Sequence, residues 1–278
     1  MKTNYTINEY TALACSDPAS TELLRLLPPV LRARDYHLYL NAGQRLTDLW
    51  LMGGRAILGH KPARVVNELK NSAERGLFVP FPHPAEKRFF KVLAEIFPGY
   101  KYRLYNDIGS LCRVLKTIVT NAANSKSILL WRPFLENSGK ETANAKIIIP
   151  ILPWPQAPAV LVLDESLDTS FPAGDLIAPV LLAPATRALY NLVAEIKNKD
   201  SMFYKTKYKI IDKKQLKRRG IYLSLAKDID TETYKNIFKS FLKGGFLIPP
   251  SMHEPVILPP LMTPGEESQL AKLLGEYA

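Results

Sequence analysis

Between Ile147 and Leu163 the chain carries two apolar runs, Ile-Ile-Ile-Pro-Ile-Leu and Ala-Val-Leu-Val-Leu, separated by a stretch punctuated with prolines. This is the one segment apolar enough to suggest a membrane span. Pro150, Pro153, Pro155 and Pro158 would break any spanning helix. The segment therefore reads as two buried strands, Lys146–Ile151 and Ala159–Leu163, joined by a proline-stiffened loop. Strands this apolar need cover, and the flanking sequence supplies it as amphipathic helices, so the expected class is α/β.

The rest of the punctuation extends that pattern. Thr21–Leu31 reads as a short helix interrupted by Pro28-Pro29. Tyr36–Leu40 and Arg45–Trp50 flank the turn signal Asn41-Ala42-Gly43-Gln44 and predict a hairpin. Pro62 opens a helix over Ala63–Arg75 that Gly76 closes, and Pro84–Phe97 is a second helix closed by Pro98-Gly99. Strands follow over Tyr102–Tyr105 and Ser127–Trp131, with a helix over Leu111–Asn121 between them. A long helix runs from Leu176 or Pro179 to Lys197.

Beyond it the pattern changes to strand Gly220–Ala226, helix Thr231–Lys243, strands Phe246–Ile248 and Val256–Leu258, and helix Gly265–Leu274. Three regions are expected: an N-terminal segment with the hairpin over 1–55, a large domain over 56–200 and a small α+β domain over 201–278. In the large domain, alternating strands and helices imply a mainly parallel sheet flanked by helices.

Composition narrows the function classes. An apolar fraction of 47% and a charged fraction of 23% are those of a globular protein. Met1–Leu23 holds acidic residues and no long apolar core, so neither a signal peptide nor membrane attachment is expected, and the expected location is the cytoplasm. Cys15 and Cys112 form no disulfide framework, and His37, His60, His83 and His253 stand in no metal-binding spacing. No phosphate-binding Gly-rich loop and no Gly-x-Ser-x-Gly elbow occurs. The net charge of +11 is concentrated in Lys205–Arg219. With Tyr204 and Tyr208 interleaved, that segment is either a solvated connector or a single-stranded nucleic-acid contact.

One ordered series of residues is more specific. Arg32-Ala33-Arg34-Asp35-Tyr36-His37-Leu38-Tyr39 is followed by Gly43, Asp48 and Trp50, then Leu58-Gly59-His60 and Pro62. Together they resemble the opening of the class III aminotransferases, pyridoxal-phosphate (PLP) enzymes of fold type I, and most of all the glutamate-1-semialdehyde aminomutase branch. Phe241 through Gly245-Phe246-Leu247-Ile248-Pro249-Pro250-Ser251 is similar to that branch's small domain. The resemblance implies an abbreviated PLP-transferase fold, a homodimer and a cofactor site. At that site Gly109 and Ser110 would lie by the cofactor phosphate, Phe134 over the pyridine ring, and Asp164 against the ring nitrogen. As ordinary structure the same residues are a helix-capping turn, a core aromatic and a strand-end cap.

The resemblance also implies a Schiff-base lysine, since only an amine exchanges imines with a substrate. Between Lys146 and Lys197 the chain has no lysine, and Lys197 itself closes an amphipathic helix. The expectation is a degenerate, aminotransferase-like protein with no bound cofactor, able to hold a small anion or a partner in the remnant cleft. An active PLP-dependent aminotransferase or aminomutase with its lysine supplied from elsewhere is the alternative, and a basic nucleic-acid-binding protein is the second. His83, Trp131, Arg132, Ser251 and His253 are further residues that could face the cleft.

Overall fold

Both apolar runs are strands buried along their whole length, Ile147–Pro150 and Ala159–Leu163. The computed structural model describes residues 2–6, 9–10, 18–120, 127–136, 138–205, 217–224 and 229–276. The N-terminal part supplies β1 (Asn4–Thr6), α1 (Pro18–Leu24), β2 (Val30–Arg34), β3 (His37–Leu40) and β4 (Arg45–Asp48). The middle supplies α2 (Val65–Glu74), α3 (Pro84–Ile96), β5 (Lys101–Tyr105), α4 (Ile108–Thr120), β6 (Ser127–Trp131) and α5 (Ser138–Ala143). It continues with the two apolar strands as β7 and β8, and with α6 (Pro179–Lys197). The C-terminal part adds α7 (Met202–Lys205), β9 (Lys217–Arg219), β10 (Tyr222–Ser224), α8 (Thr231–Lys243), β11 (Phe246–Leu247), β12 (Val256–Ile257) and α9 (Pro264–Glu276).

The main sheet has the order β1-β6-β7-β8-β5. Its side chains alternate with the strand period of two. Ile128, Leu130, Ile147, Ile149, Leu161 and Leu163 share one core with Leu111 and Leu115 of α4. Leu129, Trp131, Ile148, Val160 and Val162 share another with Phe89, Leu93, Leu182 and Leu189 of α3 and α6. Helices thus cover both faces, which is why neither apolar run could afford polar alternation. Strand directions are more mixed than the helix–strand alternation implied. The β6–β7 pair is parallel, whereas β1–β6, β7–β8 and β5–β8 are antiparallel.

The hairpin does not stand apart from the C-terminal region. β4 pairs in parallel with β11, giving a second sheet of order β11-β4-β3-β2. Leu38, Leu40, Leu46 and Leu49 share a core with Phe238, Phe241, Phe246 and Leu270. A carboxylate bolts this unit together. Glu266 accepts from His37 Nε2 at 2.9 Å, Arg45 Nη2 at 2.8 Å and Thr47 Oγ1 at 3.0 Å. It also accepts from the Thr263 amide at 2.8 Å, while the Glu266 amide donates back to Thr263 Oγ1 at 3.2 Å. That reciprocal pair is a capping box opening α9.

Helix ends follow the local chemistry. His83 is the N-cap of α3, its Nδ1 accepting from the Ala85 amide at 3.1 Å with Pro84 next in the chain. Of the basic cluster, residues 206–216 lie outside the described residues, as do Cys15 and the last two residues of the strand expected over Gly220–Ala226. Among the described residues no helix is long and apolar enough to cross a membrane.

Candidate functional site

Strand polarity decides where chemistry can collect. β6 is parallel to β7, and both β5 and β7 are antiparallel to β8, so β5, β6 and β7 all point one way. Their C-terminal residues Tyr105, Trp131 and Pro150 share one sheet edge, as the registers Tyr105↔Ala159 and Trp131↔Pro150 show. The segments that leave this edge are Asn106–Ser110, Arg132–Leu135 and the proline-rich turn from Ile151 to Pro158. In α/β sheets the edge beyond the strand C-termini is where ligands sit.

Gly109 and Ser110 lie at this edge, inside the first turn of α4 rather than in a turn before it. Asp107 caps the helix, and its carboxylate accepts from the Ser110 amide at 2.7 Å. That bond is the main reason the carboxyl is held below the usual carboxylate range. The side chain therefore places a negative charge where an anion at the helix end would otherwise go. Ser110 Oγ is engaged as well, accepting from Arg113 Nη2 at 2.9 Å.

Phe134 is at the same edge, buried and in the left-handed region with φ 60°. Its ring lies flat against Phe203 of α7, centroids 4.0 Å apart with 6° between planes, and Tyr204 meets it edge-on at 5.6 Å. One face of the Phe134 ring is thus covered by this chain's own Phe203. Phe203 carried no motif in the sequence. Tyr204, read as a possible nucleic-acid stacker, packs on Phe134 and donates its hydroxyl to the Ile196 carbonyl at 3.3 Å.

Asp164 is elsewhere. The resemblance put it at the end of a parallel strand, but β8 runs antiparallel to both neighbours, so its C-terminus lies at the opposite edge, beside Lys101 and Ile147. There it caps the short 3-10 turn Glu165–Ser170, accepting from the hydroxyl and the amide of Ser166, which together hold it below the usual carboxylate range. The sheet thus brings Gly109, Ser110 and Phe134 to one edge and leaves Asp164 at the other.

The buried charged side chains among the described residues are Asp48 and Arg132; no lysine is buried. Asp48 organises the loop that follows the hairpin. It accepts from the Trp50 and Leu51 amides at 2.9 Å each and pairs with His60 Nε2 at 3.0 Å. The His60 amide donates to the Asp35 carbonyl at 2.8 Å, and a side chain on Gly59 would begin 3.0 Å from that oxygen. The ordered series of Asp35, Asp48, Gly59 and His60 is thus a knot that fixes the loop geometry. Within the loop, Leu51, Met52, Gly53 and Gly54 all have positive φ, 47°, 50°, 66° and 107°. Left-handed backbone at the two non-glycine positions costs about 1–3 kcal/mol each.

Arg132 follows β6, is 4% exposed, and donates from Nη1 to the Gly53 carbonyl at 2.7 Å. Its guanidinium also lies 5.8 Å from the Tyr222 ring centroid. Arg55, at the end of the strained loop, is half-buried and reaches the Pro155 and Ala157 carbonyls at 3.4 Å each. Lys197 is at the surface, paired with Glu95 at 2.6 Å. Ser251 and His253 line an open groove of about 220 Å³ between α1 and α8, together with Glu22, Tyr234 and Lys235. Among the described residues no group of three or more His, Cys, Asp or Glu side chains could hold a metal ion.

Sheet, covering helices and C-terminal unit together share their fold with solved aminotransferase structures. An omega-transaminase from Sphaerobacter thermophilus superposes with a TM-score of 0.63 at 9% identity, over 95% of this chain and 97% of that one. The ornithine delta-aminotransferase of Plasmodium falciparum gives 0.60 at 11% over 98% of each, and a glutamate-1-semialdehyde aminomutase of Pseudomonas aeruginosa gives 0.60 at 12% over 90% and 88%. In sequence the chain is 30% identical over 175 residues to a protein of Treponema pallidum, matching 62% of this chain and 55% of that protein. It is 26% identical over 262 residues to one of Borreliella burgdorferi, matching 90% and 91%. Both are described only as uncharacterized proteins. The chain thus spans about half the length of the Treponema protein. No family profile matches it.

Proposed function

We propose that this chain uses an aminotransferase scaffold without performing lysine-dependent transamination, and acts in the cytoplasm as a homodimeric binding protein. The observation that carries the reading is the Phe134–Phe203 stack, which fills the aromatic slot from within. Two further facts support it. Asp107 takes up the amide at the start of α4. The turn between β7 and β8, which lies at the same edge, reads Ile-Leu-Pro-Trp-Pro-Gln-Ala-Pro and offers no amine. These side chains do not fit a pyridoxal ring and its phosphate, so no chemical step is derived through that cofactor.

Incubation with PLP, reduction with borohydride and peptide mapping tests this. The expected result is scattered, substoichiometric labelling of surface lysines. One stoichiometric phosphopyridoxyl-lysine, together with amino-donor turnover, would overturn it. The dimer rests on an exposed apolar run, Phe78, Val79 and Phe81, tied to the start of α6 by the Val180 amide, which donates to the Leu77 carbonyl at 3.0 Å. Light scattering should give a dimer mass for the native chain and a monomer mass for Phe78→Glu/Phe81→Glu. A native monomer removes that part of the reading.

A further inference from the structure

The edge where β5, β6 and β7 end holds two guanidiniums, Arg55 and Arg132, that form no ion pair with an acid among the described residues. Among the described residues, the hydrogen bonds of Arg55 and Arg132 go only to carbonyl oxygens of Gly53, Pro155 and Ala157. Carbonyl dipoles offset part of the desolvation of a buried cation, and the Tyr222 face adds a cation–π contact. Neither supplies the countercharge that a buried ion requires. Both guanidiniums lie within electrostatic reach of the buried Tyr10 phenol, where they oppose the rise that burial causes. Arg132 Nη1 is also 4.0 Å from where a Gly54 side chain would begin, and Arg55 is the next residue in the chain.

A second, independent observation points the same way. One donor there is buried with no hydrogen-bond partner: Trp154 Nε1 in the β7–β8 turn, next in the chain to the Pro155 whose carbonyl accepts from Arg55. An orphaned buried donor costs about 1–3 kcal/mol, and a native structure that keeps one beside the Arg55 guanidinium lacks an acceptor there. The strained loop adds to the case. Left-handed backbone at Leu51 and Met52 persists because the Asp48–His60 knot holds it, and the loop it shapes carries both the Gly53 carbonyl and Arg55.

We propose that this edge binds a compact dianion, a phosphate or a short dicarboxylate, held between the planar forks of Arg55 and Arg132. Guanidinium forks match carboxylate and phosphate oxygens two at a time, and two forks suit an anion carrying two charges. The proposal rests on the reading that no covalently held cofactor fills the edge.

Calorimetric titration of the full chain at constant ionic strength tests it, with inorganic phosphate, malonate and sodium chloride as separate titrants. Phosphate or malonate should bind saturably at one site and chloride should not; which of the two binds more tightly identifies the source of the charge. Arg55→Gln should weaken binding by about 10-fold or more, about 1.4 kcal/mol. Arg132→Lys, which keeps the charge and loses the fork, should weaken it too, and circular dichroism checks that each variant is folded. No saturable binding of either anion, or undiminished binding by both variants, overturns the proposal. Neither probe has an aldehyde or ketone that could form an imine with a lysine, so the result is independent of the borohydride experiment. A labelled lysine with no anion binding sinks both readings, and anion binding without one leaves both standing.

Discussion

Glu266 joins the hairpin to the last helix, and removing its charge should loosen that junction in a pH-dependent way. Burial alone would raise its pKa, but hydrogen bonds from Thr263, His37 and Thr47 outweigh that and bring it from 4.5 down to about 2. A folded-state pKa below the unfolded value means the stabilisation is fully present above about pH 4.5 and is lost as the pH falls towards 2. The difference of about 2.5 units corresponds to about 3 kcal/mol. Arg45, one of the partners, is 45% exposed, so solvent screening reduces the measurable part to about 1–2 kcal/mol.

Glu266→Gln keeps the size and removes the charge. Urea unfolding of both proteins at pH 7, 5, 4 and 3 should show the variant less stable by about 1–2 kcal/mol at pH 7, with the gap narrowing below pH 4.5. A gap that stays constant down to pH 3 would refute the electrostatic reasoning, and a gap below about 0.5 kcal/mol at pH 7 would refute the latch.

Phe134→Ala and Phe203→Ala should each cost about 3–5 kcal/mol, with a coupling of about 1 kcal/mol in the double-mutant cycle by urea unfolding; strict additivity would show that the stack carries no interaction of its own. Gly174→Ala should destabilise by about 1–3 kcal/mol, because its methyl group would sit 2.5 Å from the Leu104 carbonyl oxygen and 2.7 Å from the Leu104 nitrogen. An unchanged melting temperature would mean that the 171–178 segment does not lie against β5 as described. Asp107→Ala should cost about 1 kcal/mol and Asp107→Ser little, since serine also caps helices; equal losses in the two variants would argue against capping.

Local features were legible and long-range directions were not. Pro84 opening α3, Pro98-Gly99 closing it and the two apolar runs each announce their structure through neighbours a few residues away, which is the range over which caps and pleats operate. Likewise Asp35, Asp48 and His60 of the ordered series are joined by hydrogen bonds, with Gly59 packed against the Asp35 carbonyl. Ala-Val-Leu-Val-Leu, by contrast, reads the same whichever way the strand runs, so nothing within β8 told which edge Asp164 would occupy. Nor did anything near Phe134 announce Phe203, 69 residues further on; only the packing of α7 brings them together.

The direction of β8 has a consequence for chemistry beyond moving Asp164. An antiparallel β8 brings the β7–β8 turn to the edge where β5 and β6 also end, so this proline-rich turn forms part of the wall of the candidate site. Four prolines between Pro150 and Pro158 fix much of its backbone and withhold N–H donors. It therefore presents carbonyls, two of which Arg55 takes up. A wall of that kind recruits cations from the protein rather than offering an amine to a substrate. Guanidiniums drawn in this way supply N–H donors of the kind that the proposed anion would need.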